Sequence, residues 1–304
     1  MKDKNALLSL AIVLLSVLCI ASASVQPETG ATTNTLDFIV TARDGGMPAL
    51  SPADVSLKIG GRQQVVESVE SFTGPTLTRH IMLVVDEGTL YSLEPVVKEA
   101  VDKLLASLAP SDLVSFVSTR RGGTNTELTR DRKRITDAVA AMKTGPGVLW
   151  LCQTDMIQVL GRLTKDLPKG RGSSIVVISR GDSEGPSYQG DSGGGPCTPK
   201  RDDMRKLEEA IAVAQVNLHL FTVADPQHTW SSWGFDNIAG NTGGTSGQLT
   251  FSNRDGLVRA IHSQPGYYRA TFNWNAPTDR AQRVELRTKQ KDLKIRTSPW
   301  LRAK

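Results

Sequence analysis

The chain has 304 residues, which is enough for about two domains at roughly 150 residues each. Hydrophobic residues make up 39% and charged residues 22%, with 27 Gly and 15 Pro, and this balance excludes a wholly disordered chain, a collagen-like repeat and a polytopic membrane protein. The formal net charge of +5 is a mild excess. We therefore expect no nucleic-acid partner, because dedicated nucleic-acid binders concentrate far more basic charge.

The first 23 residues have the pattern of a signal peptide. Lys2 and Lys4 form a positively charged start, an apolar run covers 6–20, and Ala21-Ser22-Ala23 matches the small-residue cleavage pattern. The run is short for a membrane span, which needs about 20 apolar residues. An uncleaved N-terminal anchor is the alternative. We predict cleavage after Ala23, a secreted or periplasmic chain, and no transmembrane span after cleavage.

Cleavage removes one of the three cysteines. Cys19 leaves with the signal peptide, and Cys152 and Cys197 remain. An exported chain enters an oxidising compartment, where these two thiols can form a disulfide. The alternative is one buried thiol and one in a loop, and the sequence leaves both open.

The segment 24–76 has β patterning. Three short β-type runs are predicted, over 36–42, 55–59 and 65–69. Glycine-containing turns separate them, and Gly74-Pro75 then breaks the pattern and marks a boundary.

The segment 77–263 alternates between strand and helix patterns. Its first apolar run, over 80–85, is typical of a strand buried on both faces. Further strands are predicted over 112–118, 126–129, 173–179, 216–223 and 249–251. Helices are predicted over 93–108, 131–142, 151–165, 202–214, 233–240 and 254–262. The alternation indicates βαβ units and a mainly parallel sheet.

The segment 264–304 returns to β patterning. Short strands are predicted over 268–274, 282–288 and 293–297. Neither this set nor the N-terminal set has enough strands to be stable alone in water. Both carry an alternating apolar face, with Phe38 and Val40 in one set and Tyr268 and Phe272 in the other. We therefore predict that the two chain ends form one small β module. Basic residues crowd this last segment, either on a solvated sheet face or against anionic envelope material.

Several of these features resemble a von Willebrand factor A domain. They are the strand over 80–86 that ends in an acid, the strand over 173–179 followed by Gly181, and the stretch 236–244, which is similar to the family's Ile-Ala-x-x-Thr-Gly-Gly turn. More narrowly, the order of segments over 36–300 resembles the secreted bacterial proteins called VWFA-related, first recognised in Acidobacteria. The resemblance implies an α/β, Rossmann-like, mainly parallel sheet and a small β module formed by both chain ends.

The resemblance also implies a ligand site at the carboxyl ends of the strands. The family holds a divalent metal there with Asp-x-Ser-x-Ser, a Thr and a further Asp. Asp86 matches the first position, but Gly88 and Leu90 stand at the serine positions, Arg180 stands at the last Asp position, and 145–150 contains no Thr. We therefore expect a degenerate adhesion site without a metal or other cofactor, with Mg²⁺ as the less favoured outcome.

The residues that would face a ligand at this edge are Asp86, Thr89, Ser92, Arg180 and Asp182. A guanidinium suits a carboxylate bidentately, so we predict an Asp86–Arg180 ion pair in place of the metal. The alternative is that Arg180 points out into the glycine-rich loop that follows it.

Three functions remain open from the sequence, and one of them, a purely structural envelope protein, cannot be separated by sequence from the binding module described first. The first is a secreted, non-enzymatic binding or adhesion-type module that recognises a protein or an envelope component, since no catalytic constellation has supportable spacing. The second is a hydrolase with Ser192 as nucleophile, because Gly190–Gly194 matches the nucleophile motif of chymotrypsin-like proteases. The first is favoured, since that motif needs partners held on two β-barrels and the chain around it alternates strand and helix.

Overall fold

The computed structural model describes residues 33–42, 47–72, 77–90, 93–119, 123–142, 153–179, 200–223, 235–262 and 267–303. The chain divides into the units Met1–Thr32 and Thr33–Lys304, and all described residues belong to the second. The expected signal peptide, Cys152 and Cys197 lie outside the described residues, so cleavage and disulfide formation stay predictions, as do the domain boundaries. None of the described helices is both long enough and apolar enough to cross a bilayer.

The strands and helices have the following bounds. The strands are β1 (Thr33–Ala42), β2 (Val55–Ile59), β3 (Arg62–Gln64), β4 (Val66–Phe72), β5 (His80–Val85), β6 (Leu113–Ser118), β7 (Ser173–Ser179), β8 (Asn217–Val223), β9 (Ser246–Leu249), β10 (Tyr267–Asn273), β11 (Gln282–Thr288), β12 (Leu293–Thr297) and β13 (Trp300–Leu301). The helices are α1 (Glu87–Leu90), α2 (Glu94–Ser107), α3 (Arg132–Ala140), α4 (Gln153–Asp166), α5 (Arg201–Ala214), α6 (Phe235–Thr242) and α7 (Gly256–His262).

The centre of the molecule is a parallel sheet with the strand order β6-β5-β7-β8-β9. In the register, His80 of β5 stands beside Leu113 of β6 on one side and Ser173 of β7 on the other. The strand β5 is apolar along its length because both faces of the sheet are covered: Leu83 packs into one core and Val84 into the other. The expected βαβ organisation is confirmed.

Helices of the described residues cover both faces of this sheet. On one face α2, α3 and α7 bury Val97, Ile135 and Leu257 against the sheet. On the other face α4, α5 and α6 bury Leu160, Ile211 and Ile238. The helix α3 begins where the sequence predicts, because the side chain of the N-cap residue Asp131 accepts a hydrogen bond from the backbone N–H of Arg134.

Both chain ends build the β module, as predicted. It consists of two four-stranded antiparallel sheets, with the orders β12-β1-β10-β4 and β13-β11-β2-β3, so each sheet mixes strands from both ends. Phe38 of β1 stands opposite Tyr268 of β10, and their rings stack with centroids 5.5 Å apart. Val40 and Phe272 lie in the same core, which is shared by the two sheets.

Two predicted strands are wrong. Residues 126–129 form no strand, only single bridges beside β6, because the Thr126 hydroxyl accepts the backbone N–H of Phe116 at 2.8 Å. The run 249–251 is not a strand of its own: β9 starts at Ser246 and ends at Leu249. A tight turn follows, in which the N–H of Asn253 donates to the carbonyl of Thr250 at 3.1 Å.

Candidate functional site

The sheet order creates a crevice at the carboxyl ends of its strands. From β5 the chain crosses first to β6 on one side and later to β7 on the other, so β5 lies at the topological switch point. In open α/β sheets, ligands bind outside the carboxyl ends of the strands at this point. Asp86 directly follows β5, Thr119 directly follows β6, and Ser179 is the last residue of β7.

The carboxylate of Asp86 connects these three strand ends. Its side chain is buried, with Asp86 only 1% exposed. The Thr119 hydroxyl donates to Asp86 Oδ1 at 3.1 Å, and the Ser179 hydroxyl donates to Asp86 Oδ2 at 3.2 Å. The backbone continues the same connection, since the N–H of Asp86 donates to Ile178 and the N–H of Thr119 donates to Val85. We call Asp86, Thr119 and Ser179 the carboxyl-edge cluster.

Sequence reasoning found Asp86 but missed Thr119 and Ser179. Both hydroxyls stand at the ends of buried apolar strands that flank β5, which is the signal that could have identified them. The sequence pointed elsewhere because the family motif places its hydroxyl ligands two and four positions after Asp86, in the segment that contains Leu90.

Leu90 is a core residue. It is fully buried in the apolar cluster that contains Leu83 and Val97, so its position supplies no oxygen to the crevice. Gly88 has no side chain to ligate an ion, and the side chain of Thr89 lies outside the described part of α1. Ser92, Arg180 and Asp182 also lie outside the described residues, so the Asp86–Arg180 pair stays a prediction.

Within the described residues, the oxygens of the carboxyl-edge cluster do not by themselves complete a coordination sphere for Mg²⁺. That ion demands near-octahedral oxygen coordination. The carboxyl-edge cluster offers one carboxylate, and the hydroxyls of Thr119 and Ser179 donate their protons to it. Within the described ranges, no group of three or more His, Cys, Asp or Glu side chains is placed to hold a metal ion.

A serine and a histidine do meet elsewhere in the described part of the chain. His262 Nε2 lies 3.0 Å from the Ser107 hydroxyl, and His262 Nδ1 lies 3.4 Å from the Arg79 guanidinium. Because arginine only donates, Nδ1 must accept and the proton must sit on Nε2. Burial and the charge of Arg79 also lower the pKa of His262. In this tautomer His262 donates to Ser107 and cannot accept its proton. The motif Gly190–Gly194, with Ser192, lies outside the described residues.

The opposite, amino edge of the sheet holds a different cluster. Asp37 of β1 is buried and accepts two hydrogen bonds from the Arg269 guanidinium, at 2.7 and 3.0 Å. The backbone N–H of Arg171, just before β7, donates to the same carboxylate at 3.1 Å. The N–H of Asp37 donates to the side chain of Gln215, which donates in turn to the carbonyl of Thr35. These bonds fasten the β module to the parallel sheet.

Arg171 brings a buried positive charge to this amino edge. Its side chain donates to Asn217 Oδ1 at 2.8 Å and to the carbonyl of Thr242. Its Nε and Nη2 atoms have no hydrogen-bond partner among the described residues. Burial lowers the pKa of Arg171 to about 10, against the opposing effect of the Asp37 charge. The group therefore remains charged at neutral pH, and the nearby carboxylate of Asp37 offsets part of its burial cost.

Comparison with known proteins found matches among solved structures alone. No family model matches the chain, and no curated protein matches it. The matching structures include the VWA domain of SpRpn10, at 13% identity over 60% of this chain and 95% of that chain, with a TM-score of 0.38. They include an aerotolerance-related membrane protein from Bacteroides fragilis NCTC 9343, at 12% identity over 61% and 98%, with a TM-score of 0.41. Human COPII-coat protein Sec24c matches at 10% identity over 88% of this chain but 46% of its own, with a TM-score of 0.42.

These scores are low, and the fold class rests on the chain's own strand order and register. The expected α/β class is confirmed: a parallel, Rossmann-like sheet with helices on both faces, and a small β module formed by both chain ends.

Proposed function

We propose that this protein is a secreted, non-enzymatic binding module that recognises a protein or an envelope component without a metal ion. The observation that carries the proposal is the carboxyl-edge cluster, in which three strand ends meet at the switch point of the sheet. Asp86 and Ser179 are buried, but the Thr119 hydroxyl is partly exposed and can rotate to donate to a ligand group.

The absence of a metal is part of the proposal and is supported by two features. Leu90 occupies a family ligand position but packs in the core. The carboxylate that would bind the ion already accepts the hydroxyl protons of Thr119 and Ser179. The predicted Asp86–Arg180 pair would add a fixed positive charge where the family holds a cation.

Binding to envelope proteins, measured with and without metal, tests this proposal. The purified protein is immobilised and incubated with envelope extract in Mg²⁺ or in EDTA, and retained proteins are identified and then titrated singly. We expect the same retained partner in both buffers, and weaker retention by the Asp86→Ala variant. Loss of retention in EDTA, together with calorimetric heat of specific Mg²⁺ binding, would contradict the metal-independent mechanism.

A fluorophosphonate probe tests the non-enzymatic part of the proposal. A binding module has no activated serine, so the probe should not label it stoichiometrically. Stoichiometric labelling of the serine in Gly190–Gly194 would identify an activated nucleophile and would replace this proposal with a hydrolase.

A further inference from the structure

A second surface, away from the carboxyl edge, has the shape of a binding groove. It lies between α4 and α5, beside Arg302 of the C-terminal segment, and has a volume of about 360 Å³. This volume is near the lower end of the range for ligand pockets. A groove of this size accommodates a few side chains of a partner rather than a large cofactor.

The rim of the groove is strongly cationic. Lys165, Lys169, Lys206 and Arg302 line it, and Glu209 is the one carboxylate among its lining residues. Glu209 is shared, since Arg302 lies 3.8 Å from one of its oxygens and a second arginine lies 3.7 Å from the other. Among the described residues, the three lysines take part in no ion pair. The rim therefore favours an anionic ligand.

Apolar residues also line the groove, and one lining position has no side chain. Leu167, Ala210 and Val213 line it together with Gly161, which stands inside α4. A Cβ atom built on Gly161 would meet nothing within 4 Å. A glycine inside a helix is less favourable than an alanine, and no neighbouring atom requires one here. The missing side chain leaves room in the groove for an apolar group from outside.

We propose that this groove binds an acidic segment of a partner protein, which places one apolar side chain beside Gly161 and its carboxylates against the lysines. A polypeptide fits better than a bilayer, because the apolar surface is concave and the cations stand around it. This proposal adds a second surface to the function proposed above. Neither surface requires the other, since the carboxyl-edge cluster shares no residue with the groove.

The open space beside Gly161 is tested by filling it. The probe is a fluorescein-labelled peptide with one leucine flanked on both sides by glutamates, and its binding to the purified protein is followed by fluorescence anisotropy. We expect Gly161→Leu to weaken binding by about tenfold or more, because the new side chain occupies the space of the peptide's leucine. Gly240→Leu is the matched control, since Gly240 also stands in a helix and a Cβ there meets nothing within 4 Å. It should bind as the unmodified protein does.

The rim is tested by charge reversal. We expect Lys165→Glu with Lys206→Glu to lower the affinity for the same peptide by about tenfold or more. The difference from the unmodified protein should shrink at high salt. Lys294→Glu with Arg296→Glu, two exposed cations of β12, should have little effect. Circular dichroism melts check that each variant is folded. Because the two tests change different residues, one still decides if a variant of the other fails to fold.

Four results would overturn the proposal. They are no saturable binding of the acidic peptide, equal binding of a peptide with lysines in place of the glutamates, unchanged affinity in both groove variants, and binding to phosphatidylglycerol vesicles without binding to the peptide. A metal-dependent partner at the carboxyl edge would contradict the function proposed above but would leave the groove result unchanged.

Discussion

Both edges of the parallel sheet bury carboxylates, and Asp37 at one edge and Asp86 at the other have different partners. At the amino edge, Asp37 accepts hydrogen bonds from the Arg269 guanidinium and from the backbone N–H of Arg171. At the carboxyl edge, Asp86 accepts hydrogen bonds from the hydroxyls of Thr119 and Ser179. An aspartate carboxylate thus lies in an ion pair that joins the β module to the parallel sheet at one edge, and in a cluster of hydroxyls at the other.

The difference separates a carboxylate held by a guanidinium from one held by two hydroxyls. Asp37 links strands of the β module to the parallel sheet, and the guanidinium of Arg269 fixes it in a bidentate geometry. A hydroxyl, in contrast, rotates about its C–O bond and can donate to an incoming group. At the carboxyl edge the partly exposed Thr119 hydroxyl can turn toward an incoming group, whereas the guanidinium at the amino edge is fixed by two hydrogen bonds.

Removing the carboxylate at the amino edge should give the largest effect. We expect Asp37→Ala to lower the free energy of unfolding by about 3–5 kcal/mol, because Arg269 and the buried Arg171 lose their neighbouring negative charge. Urea unfolding at neutral pH measures this change.

A surface carboxylate provides the control for this first prediction. Asp137 is 62% exposed and pairs with Lys133 one helical turn away in α3, so Asp137→Ala should cost at most about 0.5 kcal/mol. If Asp37→Ala and Asp137→Ala lowered the free energy of unfolding equally, the ion pair at the amino edge would not stabilise the fold.

The core beneath the carboxyl edge should give the next largest effect. Leu90 is fully buried, so Leu90→Ala should lower the free energy of unfolding by about 2–5 kcal/mol. Leu90→Ser, which restores the family residue, should cost at least as much, since it also buries a hydroxyl. Val65→Ala is the control, because Val65 is 79% exposed and should change stability by less than about 0.5 kcal/mol. If Leu90→Ser were as stable as the unmodified protein, α1 could turn residue 90 out of the core and toward the crevice.

Much of the fold could be predicted because its strongest signals are local. Strands buried on both faces, such as β5 and β7, are short continuous apolar runs. The β module was predictable for a different reason, since each chain end alone had too few strands. The division into two sheets was not predictable, because the period of a strand indicates its buried face but not its partner. The strand predicted over 126–129 was wrong because the backbone N–H of Phe116 donates to the Thr126 hydroxyl and not to a backbone carbonyl.

The candidate site could be predicted only in part. Asp86 was identifiable as an acid that directly follows a buried strand. Its hydroxyl partners are separated from it by 33 and 93 positions, and serine and threonine are common at strand ends. The partners of Asp37 are more distant still: Arg171 is 134 positions away and Arg269 is 232. Such pairings depend on the order of strands in the sheets, which local patterns do not specify.

A buried histidine makes the amino half of the sheet sensitive to acid. His219 of β8 is fully buried, and burial lowers its pKa to about 4 from an ordinary value of 6.5. The unfolded chain therefore binds the proton first as the pH falls. The stability that neutral His219 provides is complete above pH 6.5 and is lost toward pH 4, by about 3 kcal/mol in total.

The His219→Gln variant removes this titration. Urea unfolding between neutral pH and pH 4 should show a shallower loss of stability in the variant than in the unmodified protein. His80→Gln is the comparison: burial also lowers the pKa of His80, but the charge of Asp112 opposes that shift, so a smaller change is expected. Parallel curves for His219→Gln and the unmodified protein would rule out this source of acid sensitivity.

The smallest loss of stability is expected at the carboxyl edge, and it tests directly whether Asp86 and Asp37 differ. Asp86→Ala leaves the hydroxyls of Thr119 and Ser179 without this acceptor, so we expect a loss of about 1–3 kcal/mol, less than for Asp37→Ala. A double-mutant cycle with Ser179→Ala isolates one of these hydrogen bonds. Its coupling energy should be about 1 kcal/mol, the usual net value for a hydrogen bond.

The amide variant decides whether the charge of Asp86 matters for stability. Asp86→Asn keeps an oxygen that can accept from one hydroxyl and adds an amide that must donate. If the cluster is held by hydroxyls that can rotate, Ser179 or Thr119 can turn to accept from that amide, and the cost should be below that of Asp86→Ala. At the amino edge, Asp37→Asn should cost nearly as much as Asp37→Ala, because Arg269 cannot accept. If the Asn variant lost the same fraction of the Ala variant's stability loss at Asp86 as at Asp37, the two edges would not differ in this respect.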